Sequence, residues 1–181
     1  MGDPIQDVTF YENVFAENFC HFLFKSSLEV LKTGRGFSRS NQHWPEYVVK
    51  ASQPVFIQDY DEILSKLIIE SLLKRGVIDH PEYHVANYIW MRLSYLPWHN
   101  DGNVKDAISV YINPVWERDW GGLYLYEDKA SGQIMAHVPK CNTAVKTTNG
   151  VPHATTIISV DAAAPRVSIQ LFPKKNDAQM A

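Results

Sequence analysis

Cysteine is the first scarcity. The 181-residue chain has two, Cys20 and Cys141, with no Cys-x-x-Cys spacing. Two are too few for a disulfide framework, and a reduced cytoplasm is the default setting. Positive charge is also in short supply: 17 Lys and Arg against 20 Asp and Glu leave a formal net charge of −3. That balance offers no basic footprint for nucleic acid or for an anionic membrane surface. No apolar run approaches the roughly 20 residues of a membrane span, and no basic N-terminus leads into an apolar stretch as a secretory signal would. Repeats, low-complexity segments and linkers are missing too. What is present is an ordinary globular composition, 45% hydrophobic and 20% charged, in a length that suits one domain over residues 1–181 with a sizeable core.

The pattern of apolar residues changes once along the chain. Residues 4–13 read as an entry strand. Residues 15–32 carry Phe15, Phe19, Phe22, Leu23, Val30 and Leu31 at helical spacing, and Gly34 supplies a stop. Residues 34–57 read as irregular. A second helix is expected over 59–75, with Asp59 and Glu62 as a capping box, a stripe of Ile63, Leu64, Leu67, Ile68, Ser71 and Leu72, and Gly76 at its end. From residue 83 the period becomes two. Strands are expected over 83–95, 107–113, 123–126, 134–138, 143–147, 155–160 and 166–172, with turns at Gly121-Gly122, Ser131-Gly132 and Asn149-Gly150. Two helices followed by many short strands indicate a mainly β, α+β protein. Its core would be a double-stranded β-helix (a jelly roll) over about 83–173, buttressed by a helical part over about 1–80.

The chemistry concentrates in Trp98-His99-Asn100-Asp101-Gly102. On an extended backbone residues i and i+2 point the same way, so His99 and Asp101 can offer a nitrogen and an oxygen to one metal ion. His153 is the natural third ligand. Two histidines and a carboxylate form the facial set that leaves open positions on non-haem Fe(II), with zinc the main rival. The other histidines, His21, His43, His80, His84 and His137, have no partner spacing and read as structural or surface residues. Thirteen residues past His153, Arg166 opens the apolar strand Arg166-Val167-Ser168-Ile169-Gln170-Leu171-Phe172.

His99-Asn100-Asp101, Val110-Tyr111-Ile112-Asn113, Gly121-Gly122, His153 and Arg166, taken in that order, resemble the Fe(II)- and 2-oxoglutarate-dependent oxygenases, specifically the prolyl-4-hydroxylase-like branch. The resemblance covers roughly residues 83–173. It implies a hydroxylase that uses Fe(II), 2-oxoglutarate and O2 and releases succinate and CO2. A dicarboxylate chelating iron at one end leaves its other carboxylate deep in the barrel, where a buried charge must be paired, and Arg can hold it with two parallel hydrogen bonds. The resemblance gives that place to Arg166. Ser168 on the same face can add a hydroxyl, Tyr111 matches a position that bonds the same carboxylate, and Lys146 is a fallback. Tyr124 occupies a position that often faces the cosubstrate in the family, where threonine is common, and is a further cosubstrate-binding candidate. An intact Asp101 fits hydroxylation rather than halogenation, whose enzymes have a small residue there.

For substrate, Trp90, Trp98, Trp116 and Trp120 lie near the motifs, and loop 114–120 is a candidate lid. Arg92, Arg118 and Lys146 are candidate partners for a substrate carboxylate, though each reads more readily as a charged surface residue. The nucleic-acid-demethylating branch is not indicated, because the chain is acidic and no second arginine follows Arg166 at the required spacing. The expected partner is a small molecule (an amino acid or metabolite) or a peptidyl residue such as proline, with the compact chain tilting towards the small molecule. Two rivals stay open: a non-catalytic metal-binding jelly roll, and a cupin-type metalloenzyme without 2-oxoglutarate.

Overall fold

Strict alternation in one strand shows how the layers meet. In β6 (Asp106–Tyr111) Ile108 and Val110 are fully buried on one side, while Ala107, Ser109 and Tyr111 face an internal cavity on the other. β11 (Arg166–Pro173) repeats this, with Val167, Ile169 and Leu171 on the first side and Arg166, Gln170 and Phe172 lining the cavity. Side chains of a strand alternate between faces, so such strands separate an apolar core from a polar interior.

The computed structural model describes residues 7–34, 38–39, 55–101, 106–148 and 150–174. A seven-stranded antiparallel sheet contains β1 (Val8–Glu12), β9 (Thr143–Thr148), β6, β11, β4 (Tyr83–Trp90), β3 (Val55–Asp59) and β2 (Ser38–Arg39), in that order. A four-stranded sheet runs β5 (Leu96–His99), β10 (His153–Thr155), β7 (Tyr124–Asp128) and β8 (Gln133–His137). The two sheets enclose the cavity, the jelly-roll arrangement expected from the sequence.

Two helices cover the outer face of the larger sheet. α1 (Glu17–Thr33) buries Cys20, Leu23 and Ser27, and α2 (Glu62–Lys74) buries Ile68, Ile69 and Leu72. These side chains share one cluster with Val85, Ile89, Ile108, Val110, Val167, Ile169 and Leu171 of the sheet. The main apolar core therefore lies between helices and sheet, and the cavity opens on the sheet's other side, beside a smaller cluster of Val8, Tyr111, Tyr124, Val145 and Val151.

Several expectations shift. α2 is capped by Asp61, whose carboxylate accepts from the Leu64 N–H at 2.8 Å, and not by Asp59. Asp59 is drawn into β3, and its side chain lies 3.1 Å from His84 Nε2. The expected α2 stripe is half wrong, because Ile63 is 73% exposed and Leu67 44% exposed. The row through Leu64, Ile68 and Leu72 meets the sheet together with Ile69, and the neighbouring row about 100° round the helix does not. The expected strand over 83–95 breaks after Trp90 into a turn in which Leu93 has φ 68° and donates its N–H to the Ile158 carbonyl. The strand expected over 155–160 lies earlier, at His153–Thr155, and Ile158 keeps only an isolated bridge to Gly121. The N-terminal part is not purely helical, since β1, β2 and β3 join the larger sheet. Of the irregular stretch expected over 34–57, residues 55–57 belong to β3, and residues 40–54, with His43, lie outside the described residues.

Candidate metal centre and anion anchor

β5 and β10 run antiparallel with His99 directly opposite His153, so pairing alone brings the two imidazoles together, with ring centroids 4.2 Å apart. The register shifts between His153 and Thr155, an irregularity that lets both Leu96 and His99 line the cavity although they are three residues apart. Asp101 follows two residues after His99. Its Oδ1 lies 3.8 Å from His99 Nε2 and its Oδ2 3.6 Å from His153 Nε2. One ligand atom from each of the three falls within 4.8 Å of the others, a spacing at which one metal ion can be held.

The orientation of both rings is set by the backbone. His99 Nδ1 lies 2.9 Å from the Pro97 carbonyl, and His153 Nδ1 lies 2.8 Å from the Val151 carbonyl. A carbonyl only accepts, so each Nδ1 carries the proton and each Nε2 keeps its lone pair for a metal. This is the outer-shell arrangement usual for metal-binding histidines. Burial lowers the His99 pKa below its ordinary value, and the neighbouring His153 pushes it the same way.

Arg166 lies across the cavity on the larger sheet. It is 2% exposed, and among the described residues its Nε and Nη1 have no hydrogen-bond partner. The guanidinium is sandwiched between two rings, 5.1 Å from the Trp90 centroid and 5.0 Å from the Tyr111 centroid. Burial lowers its pKa, and the neighbouring Tyr111 opposes this. Among the described residues the Tyr111 hydroxyl is likewise buried without a close hydrogen-bond partner; burial raises its pKa to about 12, and the nearby guanidinium opposes that rise. Unmatched donors on a buried cation beside an unmatched phenol form a ready anion site, because leaving such groups unpaired costs several kcal/mol in general.

The remaining candidates are placed less directly. The Ser168 hydroxyl accepts from Trp90 Nε1 at 3.0 Å and from Gln170 Nε2 at 3.1 Å, so it ties the ring that stacks on Arg166 to the strand below. Tyr124 lines the cavity with its ring 5.5 Å from that of His153, and its hydroxyl shares a 2.7 Å hydrogen bond with Thr147. Lys146 does not serve as a fallback anchor. It alternates with the cavity-lining Thr147 and lies 3.5 Å from Asp106. Arg92 donates to the Ala162 carbonyl and Arg118 is exposed beside Asp119, so neither reaches the cavity. The tryptophans of loop 114–120 do not face the cavity. Trp116 and Trp120 pack edge to face at 5.4 Å, join the cluster of Val55, Trp90, Ile158 and Ala162, and line no part of the cavity. Trp98, 43% exposed, stays outside it too.

Two positions matter here that residue type alone does not flag. Gly122, with φ 62°, leaves room where a Cβ would come within 2.9 Å of Arg166 Cδ and 3.3 Å of the Trp116 ring. Asn113 accepts from the Val167 N–H at 2.6 Å and donates to the Pro165 carbonyl at 2.8 Å, clamping the backbone on both sides of Arg166. Both lay inside the motif-like stretches, yet only long-range contacts reveal what they do.

This fold is the one found in Fe(II)/2-oxoglutarate oxygenases. No family model matches the chain, and no curated protein matches it in sequence. Among solved structures, a Pseudomonas putida prolyl-4-hydroxylase superposes with TM-score 0.72 at 13% identity, covering 94% of each chain. A Trichoplax adhaerens prolyl hydroxylase, solved with a hypoxia inducible factor peptide fragment, gives 0.69 at 17% identity, covering 93% of this chain and 84% of its own. The epimerase SnoN, in complex with Fe3+, alpha ketoglutarate and nogalamycin RO, gives 0.65 at 9% identity, covering 92% and 78%. At these identities the likeness establishes the architecture.

Proposed function

We propose that this chain is an Fe(II)- and 2-oxoglutarate-dependent oxygenase that hydroxylates an unactivated C–H bond in a small molecule or a peptidyl residue. One observation carries the reading: a His-Asp-His trio and a buried arginine, whose Nε and Nη1 have no partner among the described residues, line opposite sides of one cavity of about 390 Å³. A two-ended ligand with a metal-chelating head and a distant carboxylate satisfies both. Neither rival accounts for the arginine, since a bare metal-binding jelly roll or a cupin without a keto acid leaves its charge unmatched. The fold shared with prolyl hydroxylases and an alpha ketoglutarate-bound epimerase supports the class.

His99 and His153 would hold the iron through Nε2 and Asp101 through a carboxylate oxygen, leaving the other positions for cosubstrate and O2. Bound there, iron with O2 and 2-oxoglutarate supplies the oxidising power to cleave an unactivated C–H bond, with succinate and CO2 as coproducts. The Pro97 and Val151 carbonyls keep the imidazoles in the metal-binding tautomer. Arg166 would pair with the distal carboxylate of the cosubstrate and Tyr111 would donate its hydroxyl proton to it, while the Trp90 and Tyr111 rings shield that contact from water. Apart from the trio and Arg166, the described lining is uncharged, with Tyr88, Leu96, Ala107 and Phe172 beside Ser109 and Gln170. The part of the substrate that enters is therefore neutral.

Anaerobic titration of metal-free protein with Fe(II) and 2-oxoglutarate tests this. A weak visible charge-transfer band should grow only when both are present, and admission of O2 should then form succinate. His99→Ala and Asp101→Ala should lose band and succinate while the metal-free chain keeps its wild-type circular dichroism. Iron binding with no band in well-folded protein would return the metal-binding jelly roll, and undiminished turnover in Arg166→Ala would return the cupin-type enzyme.

A further inference from the structure

The two cysteines, 121 residues apart in sequence, meet in space with Sγ atoms 3.9 Å apart. Cys20 is buried in the first turns of α1, and Cys141 is exposed in the turn that precedes β9. Both backbones are fixed where they face each other. Asn142 accepts from the Phe15 N–H at 2.9 Å and donates to the Phe15 carbonyl at 3.0 Å, while its own carbonyl accepts from the Val14 N–H at 3.3 Å. On the other side the Asn142 N–H donates to the Tyr111 carbonyl at 2.8 Å. The sulfurs are thus held 3.9 Å apart beside a clamp on the adjoining residue, and joining them needs an approach to about 2 Å.

The two thiols are also unlike. Cys141 is open to solvent, and the Cys20 S–H beside it stabilises the Cys141 thiolate, holding its pKa near 7; burial and the same contact push Cys20 upward. An exposed, thiolate-prone sulfur next to a buried thiol is the arrangement of an attacking cysteine with a resolving partner.

We propose that Cys20 and Cys141 form a hydroperoxide-reactive thiol pair that closes to an intramolecular disulfide, joining α1 to the turn ahead of β9. The Cys141 thiolate attacks the terminal peroxide oxygen. The O–O bond breaks, alkoxide or hydroxide leaves and takes up a proton, and Cys141 becomes a sulfenic acid. Cys20 sulfur then attacks the sulfenyl sulfur, the S–O bond breaks, and the departing hydroxide leaves as water with the Cys20 proton. Two thiols and one hydroperoxide yield one disulfide, one alcohol (water, for hydrogen peroxide) and one water. The chemistry lies outside the metal cavity and does not depend on the oxygenase reading.

The test uses the full chain in chelator-treated buffer with one equivalent of hydrogen peroxide. Both thiols should vanish to Ellman's reagent, the intact mass should fall by two hydrogens, and a non-reducing peptide map should join the peptides carrying residues 20 and 141, all reversed by dithiothreitol. Closing so long a loop should raise Tm by roughly 5–15 °C. In Cys20→Ser, dimedone should trap a sulfenic acid on Cys141, and in Cys141→Ser the remaining thiol should survive the same dose. Intermolecular dimers, or sulfinic acid on unbridged wild-type protein, would overturn the proposal, and the wild-type map decides this even if a variant fails to fold.

Discussion

His99 does not take a proton readily in its buried place beside a second imidazole whose centroid lies 4.2 Å away. Burial is the main cause of its lowered pKa and His153 the next; Asp101 and the Pro97 carbonyl pull the other way without cancelling them. In the unfolded chain the same imidazole protonates as pH falls through about 6.5, whereas in the folded chain it waits for a lower pH. Between those two values the unfolded state holds more protons, so stability falls as pH falls and is level above that window. His137, whose ring packs at a tilt 4.3 Å from that of Phe10, has its pKa lowered by burial and by Lys140, so it acts in the same direction. Thermal melts of the metal-free chain should therefore show Tm dropping as pH falls through the ordinary histidine value of about 6.5. His99→Gln should flatten part of that slope and leave the share due to His137. An unchanged slope in the variant would remove His99 from the account.

At the scale of elements, the start of β11 decides where the arginine sits. The stretch from His153 to Arg166 is long, and strand register is easily lost across a long connection. Asn113 removes that freedom by bonding the backbone at Pro165 and at Val167. Asn113→Ala should leave a buried N–H unpaired, at a cost of about 1–3 kcal/mol. We expect lower Tm and a KM for 2-oxoglutarate raised about tenfold, the equivalent of about 1.4 kcal/mol, with Fe(II) affinity unchanged because the trio sits on the other sheet. Equal losses for metal and cosubstrate would show that Asn113 only supports the fold.

The clamp also shows what sequence can and cannot convey. The alternation of β6 and β11, the pairing of His99 with Asp101 and the order of the motifs were legible, because each rests on a local period or a fixed spacing. The break after Trp90, the half-exposed stripe of α2 and the packing of loop 114–120 were not. They depend on a backbone turn at Leu93, on which rows of a helix meet the sheet, and on tryptophans that found Trp90 and Ile158 rather than the cavity. The meeting of Cys20 with Cys141 was hidden for the same reason, since no local spacing records a contact across 121 residues.

For the molecule as a whole, the division of labour between sheets has a thermodynamic consequence. The proposed metal ligands His99, Asp101 and His153 belong to the four-stranded sheet and its edge, while Arg166 and Tyr111 belong to the seven-stranded sheet that carries both helices. On the proposed reading a metal ion alone would tie residues of one sheet, whereas a cosubstrate held by that ion and by Arg166 would tie the two sheets together. A ligand at 100 times its Kd adds about 2.7 kcal/mol to a two-state protein, or roughly 5–10 °C in Tm for a chain of this size. Anaerobic melts should show a rise with Fe(II) and a further rise of that order when 2-oxoglutarate is added. Cosubstrate without metal should add little, because half of its anchorage is then missing. In Arg166→Ala the metal increment should persist and the cosubstrate increment should vanish. If 2-oxoglutarate stabilises that variant as well as the wild type, the carboxylate is held elsewhere, and the buried arginine needs a different explanation.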